Sequence, residues 1–344
     1  MRQDPGISAD AIRACLAAEY GVAAVAVEFL PLGFDARAAV YRATAGDGRR
    51  FFVKVRFGAA PEPGLRAAHA LRAAGIEAVL ASLPARAGLP WCEMDGLGVV
   101  LYPWIDGQDA MTAGLSHAHW RVFGAALRAV HDGGFVDRFR ESLHAEAFTL
   151  PSAAAVRDLA PAVASDDLPG PVARAFAAFW RANAERIEAI LNRAETLGRM
   201  LRERGHEPVL CHGDIHAANI LVGGDGAIHL IDWDAPLIAP RERDLLFVVG
   251  STIARTVQPD EEDAFFAGYG PAAIDPDALA YFRYERFVED LAEFGHSILR
   301  DPRLTDENRA EEAALAQGYF DPGGYLDRAE TVVLPPLSEF SVKR

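Results

Sequence analysis

The stretch from Val209 to Asp234 reads VLCHGDIHAANILVGGDGAIHLIDWD and predicts a strand end, a polar loop and a β-hairpin. Apolar residues at 220–222 and 228–231 flank the segment 223–226, whose Asp-Gly pair is a strong hairpin signal. A two-residue turn at Asp225-Gly226 places Asn219 opposite Asp232, because each lies six positions from the turn. The stretch therefore predicts a carboxamide and a carboxylate at the open end of a hairpin.

Asp214 lies on the polar loop that leads into this hairpin. Side-chain oxygens of Asn219 and Asp232 are hard ligands of the kind that Mg²⁺ prefers, and a further carboxylate nearby can orient a reacting hydroxyl group. Because phosphoryl transfer depends on positioning and charge, these residues predict a phosphoryl-transfer site. Two alternatives stay open: the polar residues only form turns, or His212, Asp214 and His216 bind zinc or iron in a hydrolase.

The use of basic residues singles out one lysine. Of the 34 lysines and arginines, two are lysines. Lys54 lies inside the apolar segment FFVKV, and Lys343 is next to last in the chain. Lysine is a compact point charge that suits phosphate oxygens in a narrow site, whereas arginine is a planar fork. Lys54 therefore predicts a phosphate contact, and a lysine that extends from an edge strand to solvent is the alternative.

Composition limits the class of protein. The chain has 344 residues, 51% of them hydrophobic, and a net charge of −15, which argues against nucleic acid as a partner. Three scattered cysteines, Cys15, Cys92 and Cys211, predict reduced thiols in a cytoplasmic protein. No segment approaches the ~20 apolar residues of a membrane span, so we expect no membrane association.

Periodicity divides the chain into two parts. Before Pro103 it predicts helices at 8–19 and 64–74 and strands at 25–30, 38–43, 50–56, 79–83 and 97–102. After Pro103 it predicts helices at 117–131, 171–205 and 277–300, with a loop or insertion at 150–170 and no assignment from 321 onward. We therefore predict an α+β fold with an N-terminal sheet lobe at 1–103 and a mainly helical lobe at 104–344.

The motif HGDIHAAN at 212–219, followed by IDWD at 231–234, resembles the catalytic and metal loops of the aminoglycoside phosphotransferase family. That family has a bilobal protein-kinase-like fold and also contains choline kinases and other small-molecule kinases. The runs PLGFDARAAVYRA at 31–43 and IDWDAPLIAPRERDLLF at 231–247 resemble its spectinomycin phosphotransferase branch. The resemblance extends from about residue 30 to about residue 299 and is strongest at 209–247.

The resemblance implies a role for each matching residue. Asp214 would be the catalytic carboxylate, Asn219 and Asp232 would bind Mg²⁺, and His212 would brace the catalytic loop. Lys54 would hold the α- and β-phosphates of ATP, with GTP not excluded. The nucleotide would also contact the turn at Gly33 and the backbone of Leu101, Tyr102 and Pro103.

Two features depart from the kinase pattern. Kinases pair the strand lysine with a helix glutamate, but here Glu62 and Glu77 lie only near the ends of the helix after Lys54, so its partner stays unassigned. The metal loop reads Asp-Trp-Asp where protein kinases have Asp-Phe-Gly, which predicts a loop that does not flip.

The acceptor is expected to be small and cationic. Glu285, Glu289 and Glu293 recur every four residues on one helix face. Such a stripe either faces solvent, or some of its members, with Asp290 and Asp234, line an acidic cleft for an amine. The resemblance implies phosphorylation of a hydroxyl group on an aminocyclitol such as spectinomycin, as in antibiotic resistance. A kinase of a metabolic alcohol and a non-catalytic nucleotide-binding protein are the alternatives, and the oligomeric state stays open.

Overall fold

The computed structural model describes residues 4–32, 37–302 and 304–330. Their contacts divide them into two compact units, one drawn from 1–144, 209–238 and 263–270 and the other from 145–208, 239–262 and 271–344. The first unit holds the sheet and the hairpin predicted above, and the second is helical. The predicted lobe boundary after Pro103 stays a prediction.

The strands of the described residues are β1 (Ala24–Leu30), β2 (Ala38–Ala45), β3 (Arg50–Phe57), β4 (Cys92–Met94), β5 (Leu97–Pro103), β6 (Gly107–Asp109), β7 (His144–Ala145), β8 (Val209–Cys211), β9 (Ile220–Gly223), β10 (Ile228–Leu230) and β11 (Leu237–Ala239). The α-helices are α1 (Ala9–Cys15), α2 (Glu62–Ala73), α3 (Ala110–Ala113), α4 (His117–Asp132), α5 (Val136–Phe139), α6 (Ser152–Asp158), α7 (Ala160–Ala164), α8 (Gly170–Ala182), α9 (Ala184–Arg204), α10 (Glu242–Leu245), α11 (Pro259–Tyr269), α12 (Pro276–Arg300), α13 (Asp306–Gly318) and α14 (Tyr325–Glu330). A π-helical turn (Leu16–Tyr20) extends α1, and a 3₁₀ turn (Ala217–Asn219) precedes β9.

The N-terminal sheet has the strand order β1-β2-β3-β5-β4, with antiparallel neighbours. Val40, Lys54 and Val100 lie side by side on β2, β3 and β5. Side chains alternate along each strand, so Val53 and Val55 enter the core that α1 covers, while Lys54 and Arg56 lie on the opposite face. The alternation thus separates the apolar core of the sheet from the face that carries Lys54 and Arg56.

The hairpin forms where the sequence predicts it, but with a different register. Val222 pairs with Ile228, Gly223 accepts a hydrogen bond from the Gly226 N–H at 2.9 Å, and Gly226 has φ +81°. This is a turn centred on residues 224–225 followed by a left-handed glycine bulge, one of the common three-residue hairpin loops. The extra residue shifts the ladder, so Asn219 pairs with Ile231 rather than with Asp232, and the predicted two-residue turn was wrong.

The predicted strand at 79–83 is also wrong. Its residues form one isolated bridge, Val79 with Leu230, and the short edge strand is β4 instead. Pro84 follows immediately and cannot donate to a ladder, which limits the extended run. The segment still contacts the hairpin, because the Leu80 N–H donates to the Leu230 carbonyl at 3.0 Å.

The helical unit is built around α12, whose apolar face lies in a continuous core. The stretch 150–170, predicted as a loop or insertion, contains α6 and α7. Ala153, Val156, Leu159 and Val163 recur at three- and four-residue steps and are buried in that core. The alanine-rich composition obscured an apolar helical period. None of the helices in the described ranges is long and apolar enough to cross a membrane.

Candidate active site

His212 ties the loop after β8 to the loop after β10. Its Nδ1 accepts the Asp214 N–H at 3.3 Å, so its Nε2 carries the proton and donates to the Ile231 carbonyl at 2.8 Å. The imidazole packs against the Trp233 ring, with a centroid distance of 4.5 Å. Both ring nitrogens are engaged in these hydrogen bonds, which argues against a zinc or iron ligand and supports the bracing role.

The Asp214 carboxylate on this loop is partly exposed, with 44% of its side chain accessible. Asn219 donates from Nδ2 to the Asp214 carbonyl at 2.8 Å and approaches its Oδ2 at 3.4 Å. His216 lies with Nε2 at 3.5 Å from the same oxygen, while its Nδ1 accepts the Ala218 N–H. The loop therefore holds a partly exposed carboxylate in a defined orientation, which suits a group that must meet a second molecule.

Asp232 has φ +62°, an uncommon left-handed conformation for a residue with a side chain. Its Oδ1 accepts a hydrogen bond from the Lys54 ammonium at 2.8 Å. The preceding residue is tied to the 3₁₀ turn, because the Ile231 N–H donates to the Asn219 carbonyl at 3.0 Å. The loop at 212–219, the loop at 231–234 and Lys54 are thus linked by direct contacts, and their predicted catalytic and metal-binding roles stay predictions.

Lys54 has a second carboxylate partner that the sequence left unassigned. Its Nζ lies 2.7 Å from the Asp234 Oδ2, and Arg56 Nη1 lies 2.5 Å from the same oxygen. Burial alone would lower the pKa of the Lys54 ammonium, but Asp232 and Asp234 outweigh it and the pKa is raised. Burial and the charge of Asp232 raise the pKa of Asp234, against the opposing effect of Lys54 and Arg56.

The acidic residue at the start of α2 is engaged elsewhere. Glu62 accepts hydrogen bonds from Arg66 Nε at 2.7 Å and from the Trp91 indole at 3.2 Å. The helix instead meets the metal loop through its backbone, since a Cβ on Gly64 would lie 2.1 Å from the Trp233 carbonyl oxygen. Sequence reasoning missed Arg56 and Gly64, although the two-residue period of β3 already places Arg56 on the face of Lys54.

The predicted purine contacts lie on β5. Tyr102 faces Phe52 across the ladder, with ring centroids 6.3 Å apart. Burial raises the pKa of the Tyr102 phenol well above its usual range, and the charges of Asp234 and Asp232 add to the effect. Leu101 is buried, and its carbonyl accepts the Leu83 N–H at 2.7 Å. The predicted phosphate-turn residue Gly33 lies outside the described residues.

Glu285 and Glu289 belong to α12 in the helical unit. Glu285 is buried, with Oε2 at 3.0 Å from Arg243 Nη1, and Glu289 lies 3.6 Å from Arg243 Nη2. Burial raises the pKa of Glu285 to about 8, against the opposing charge of Arg243. The predicted stripe is therefore uneven, because Glu285 is buried against Arg243 inside the unit while Glu293 is exposed.

Comparison with known proteins identifies the class of enzyme. The model of the phosphotransferase enzyme family (APH) matches residues 27–282. The chain belongs to this family. It is a small-molecule kinase that acts on hydroxyl groups and uses a nucleotide as co-substrate. No curated protein sequence matches the chain.

Solved structures confirm the protein-kinase-like fold. Spectinomycin phosphotransferase APH(9)-Ia, in complex with ADP and spectinomycin, superimposes with a TM-score of 0.85 at 28% identity, over 95% of this chain and 98% of that one. An amicoumacin kinase in complex with AMP-PNP and Ca²⁺ has a TM-score of 0.63 at 15% identity, over 93% and 95% of the two chains. A choline/ethanolamine kinase family protein from Mesorhizobium loti has a TM-score of 0.57 at 16% identity, over 93% and 97%. The last two show the fold alone.

Proposed function

We propose that this enzyme transfers the γ-phosphate of ATP to a hydroxyl group of a small cationic molecule, with an aminocyclitol such as spectinomycin as the first candidate. The observation that carries the proposal is the oriented, partly exposed Asp214 carboxylate, linked through His212 to the loop of Asp232 and Lys54. The aminocyclitol is supported by 28% identity, over nearly both whole chains, to an enzyme solved with spectinomycin.

Asp214 would act on the acceptor. Its carboxylate would orient the hydroxyl oxygen toward the γ-phosphorus and accept the hydroxyl proton as the new oxygen–phosphorus bond forms. The bond from the γ-phosphorus to the bridging oxygen breaks, and ADP leaves with that electron pair. Asn219 and His216 would keep the carboxylate aligned during this step, and Lys54 would hold the α- and β-phosphates.

The side chains of Asn219 and Asp232 fit a magnesium ion. Because Asn219 donates from Nδ2 to the Asp214 carbonyl, its amide oxygen is the atom that would bind the ion, and Asp232 would add a carboxylate oxygen. Amide and carboxylate oxygens form the donor set that Mg²⁺ prefers beside nucleotide phosphates. When bound, the ion would neutralise charge on the phosphates.

We place the purine along residues 101–103. Pro103 has no N–H and offers a carbonyl acceptor, which suits the exocyclic amino group of adenine better than the O6 of guanine. We therefore expect ATP to be preferred over GTP.

An ammonium group of the acceptor can pair only with a carboxylate that solvent can reach. Of the three carboxylates predicted to bind it, Glu289 has 38% of its side chain exposed, against 19% for Asp234 and 7% for Glu285. Glu289 is therefore the most accessible carboxylate for an ammonium group, and the net charge of −15 would favour the approach of cations.

The alternatives have less support. A kinase of a metabolic alcohol would share the same phosphate site, but the choline/ethanolamine kinase family protein resembles this chain in fold alone. A non-catalytic nucleotide-binding protein would have no need for the partly exposed Asp214 carboxylate that Asn219 and His216 orient.

The test is turnover with Mg²⁺-ATP and Mg²⁺-GTP against aminocyclitols, choline-like amines and sugars, with mass detection of one added phosphate. A phosphorylated aminocyclitol supports the proposal, and turnover with another alcohol alone rejects the antibiotic acceptor. Magnesium-dependent nucleotide binding without any phosphorylated product would favour the non-catalytic reading.

A further inference from the structure

Four charged side chains, two from β3 and two from the loop at 231–234, form one cluster. Lys54 and Arg56 lie two residues apart on the same face of β3, and Asp232 and Asp234 lie two residues apart in the loop. Lys54 Nζ bridges the two carboxylates at 2.8 and 2.7 Å. Both cations converge on a single oxygen, the Asp234 Oδ2. We define these four residues as the Lys54 cluster.

The two carboxylates of the Lys54 cluster differ in burial. The Asp234 side chain is 19% exposed and that of Asp232 is 41% exposed, while Lys54 and Arg56 are 12% and 11% exposed. Asp234 is therefore the enclosed carboxylate, balanced by two nearly buried cations. Buried charges of this kind are stable only while their partners are present, so the position of Lys54 depends on Asp234.

Asp232 is not a lasting partner for Lys54 if it binds Mg²⁺. An oxygen that binds a divalent cation gives up most of its attraction for an ammonium group, since the ion carries the larger charge. Helix α2 does not supply a substitute, because Glu62 is held by Arg66 and Trp91. Asp234 remains as the carboxylate that can hold Lys54 throughout the reaction.

We propose that Asp234, held in place by Arg56, is the positioning residue for Lys54 and takes the part that a helix glutamate has in other kinases. This assignment rests on the proposed function, in which Lys54 contacts the nucleotide phosphates. It differs from the sequence-based prediction that Asp234 binds the acceptor. The packing at Gly64 supports the positioning role of Asp234. Because Gly64 has no side chain, α2 lies against the carbonyl groups of Trp233 and Asp234.

Kinetics with the isosteric variant Asp234→Asn distinguish the positioning of Lys54 from the binding of the acceptor. A positioning role predicts that kcat/KM for ATP falls by about tenfold to a hundredfold, while the KM of the acceptor stays unchanged. A higher acceptor KM with normal ATP kinetics would overturn the proposal in favour of acceptor binding. Asp47→Asn is the matched control, because Asp47 pairs with Arg49 at the exposed turn between β2 and β3 and should leave both constants unchanged.

A double-mutant cycle tests whether Asp234 acts through Lys54. ATP affinity, measured by calorimetry with Mg²⁺, should fall in Asp234→Asn and in Lys54→Met, with no further loss in the double variant. Additive losses would show that Asp234 acts independently and would overturn the proposal. This binding readout needs no acceptor, so it remains decisive even if no phosphorylated product is found and the proposed function fails.

Two conservative variants cover the case in which Asp234→Asn does not fold. Asp234→Glu keeps the charge but moves the carboxylate by one methylene group, and Arg56→Lys keeps a cation without the planar fork. Each should fold and lower ATP affinity, with a smaller loss than Asp234→Asn would give. Normal ATP affinity in both folded variants would overturn the proposal.

Discussion

The backbone of α2 at Gly64 lies directly against the carbonyl oxygen of Trp233, and a Cβ added to Gly64 would be 2.1 Å from that oxygen. The same Cβ would be 2.9 Å from Pro236 Cδ and 3.1 Å from the Asp234 carbonyl oxygen. Two of these neighbours are backbone atoms that no rotamer change can move. The helix and the metal loop are thus packed backbone to backbone, which opposes flipping of the loop.

Gly64→Ala should destabilise the enzyme by about 1–3 kcal/mol, as expected for overpacking, although alanine is the better helix former. The midpoint of urea unfolding measures the change. Gly46→Ala is the control, since its Cβ would meet only Val25 Cγ1 at 3.6 Å, an ordinary contact. Equal stability of Gly64→Ala and the parent enzyme would contradict the close packing.

Asp214→Asn should reduce kcat by about 10²- to 10⁴-fold, because the amide cannot accept the hydroxyl proton. Nucleotide affinity should stay near that of the parent enzyme, since the variant keeps the shape of the side chain. Single-turnover kinetics and nucleotide titration give the two values. Asp225→Asn in the hairpin turn serves as control, and a loss of nucleotide binding in Asp214→Asn would mean that Asp214 has another role.

Asp232→Asn should remove the Mg²⁺ dependence of nucleotide binding, because the site loses its carboxylate ligand. Asparagine is chosen because it tolerates the left-handed conformation at φ +62°, so the backbone should be preserved. Nucleotide affinity is measured over a Mg²⁺ titration. An unchanged titration would exclude Asp232 as a metal ligand.

Lys54→Arg should lose activity although the positive charge is retained. The guanidinium is a planar fork and does not fit where one ammonium bridges two carboxylates at 2.8 and 2.7 Å, so kcat/KM for ATP should fall by about a hundredfold. Lys343→Arg, at a position outside the described residues, is the matched control. Near-normal activity of Lys54→Arg would mean that a compact charge is not needed there.

Glu285 should make stability depend on pH. Burial raises its pKa from 4.5 to about 8, so between these values the folded enzyme binds a proton that the unfolded chain has lost. The contribution of Glu285 is therefore greatest below pH 4.5 and falls as the pH rises toward about 8.

The measurement compares urea midpoints across this window in the parent and in Glu285→Gln. The variant should lose less stability as the pH rises, because it has no carboxyl group at that position to titrate. Glu293→Gln, on the exposed part of the same helix face, should keep the parent slope. Parallel slopes in the parent and Glu285→Gln would contradict the raised pKa.

Much of the architecture could be predicted from local pattern. The strands around Lys54, the helix at 117–131 and the hairpin at 220–230 follow from periodicity and turn residues, which act over a few positions. The helices α6 and α7 were missed because alanine and proline suggested a loop while the burial of Val156 and Leu159 depends on α12. The register of the hairpin was missed because one left-handed glycine changes which residues face each other.

The sequence by itself predicted the chemistry of the site, from a lysine within an apolar strand, an HGDIHAAN loop and a hairpin that ends in IDWD. It did so because these signals depend on residue type and short spacing. Only the tertiary structure decided which carboxylate holds Lys54, since Asp232 and Asp234 lie 178 and 180 residues away along the chain. It also decided that Glu285 is buried. The exposure of a side chain depends on the residues that pack around it, here Arg243 among them, and not on its spacing along the helix.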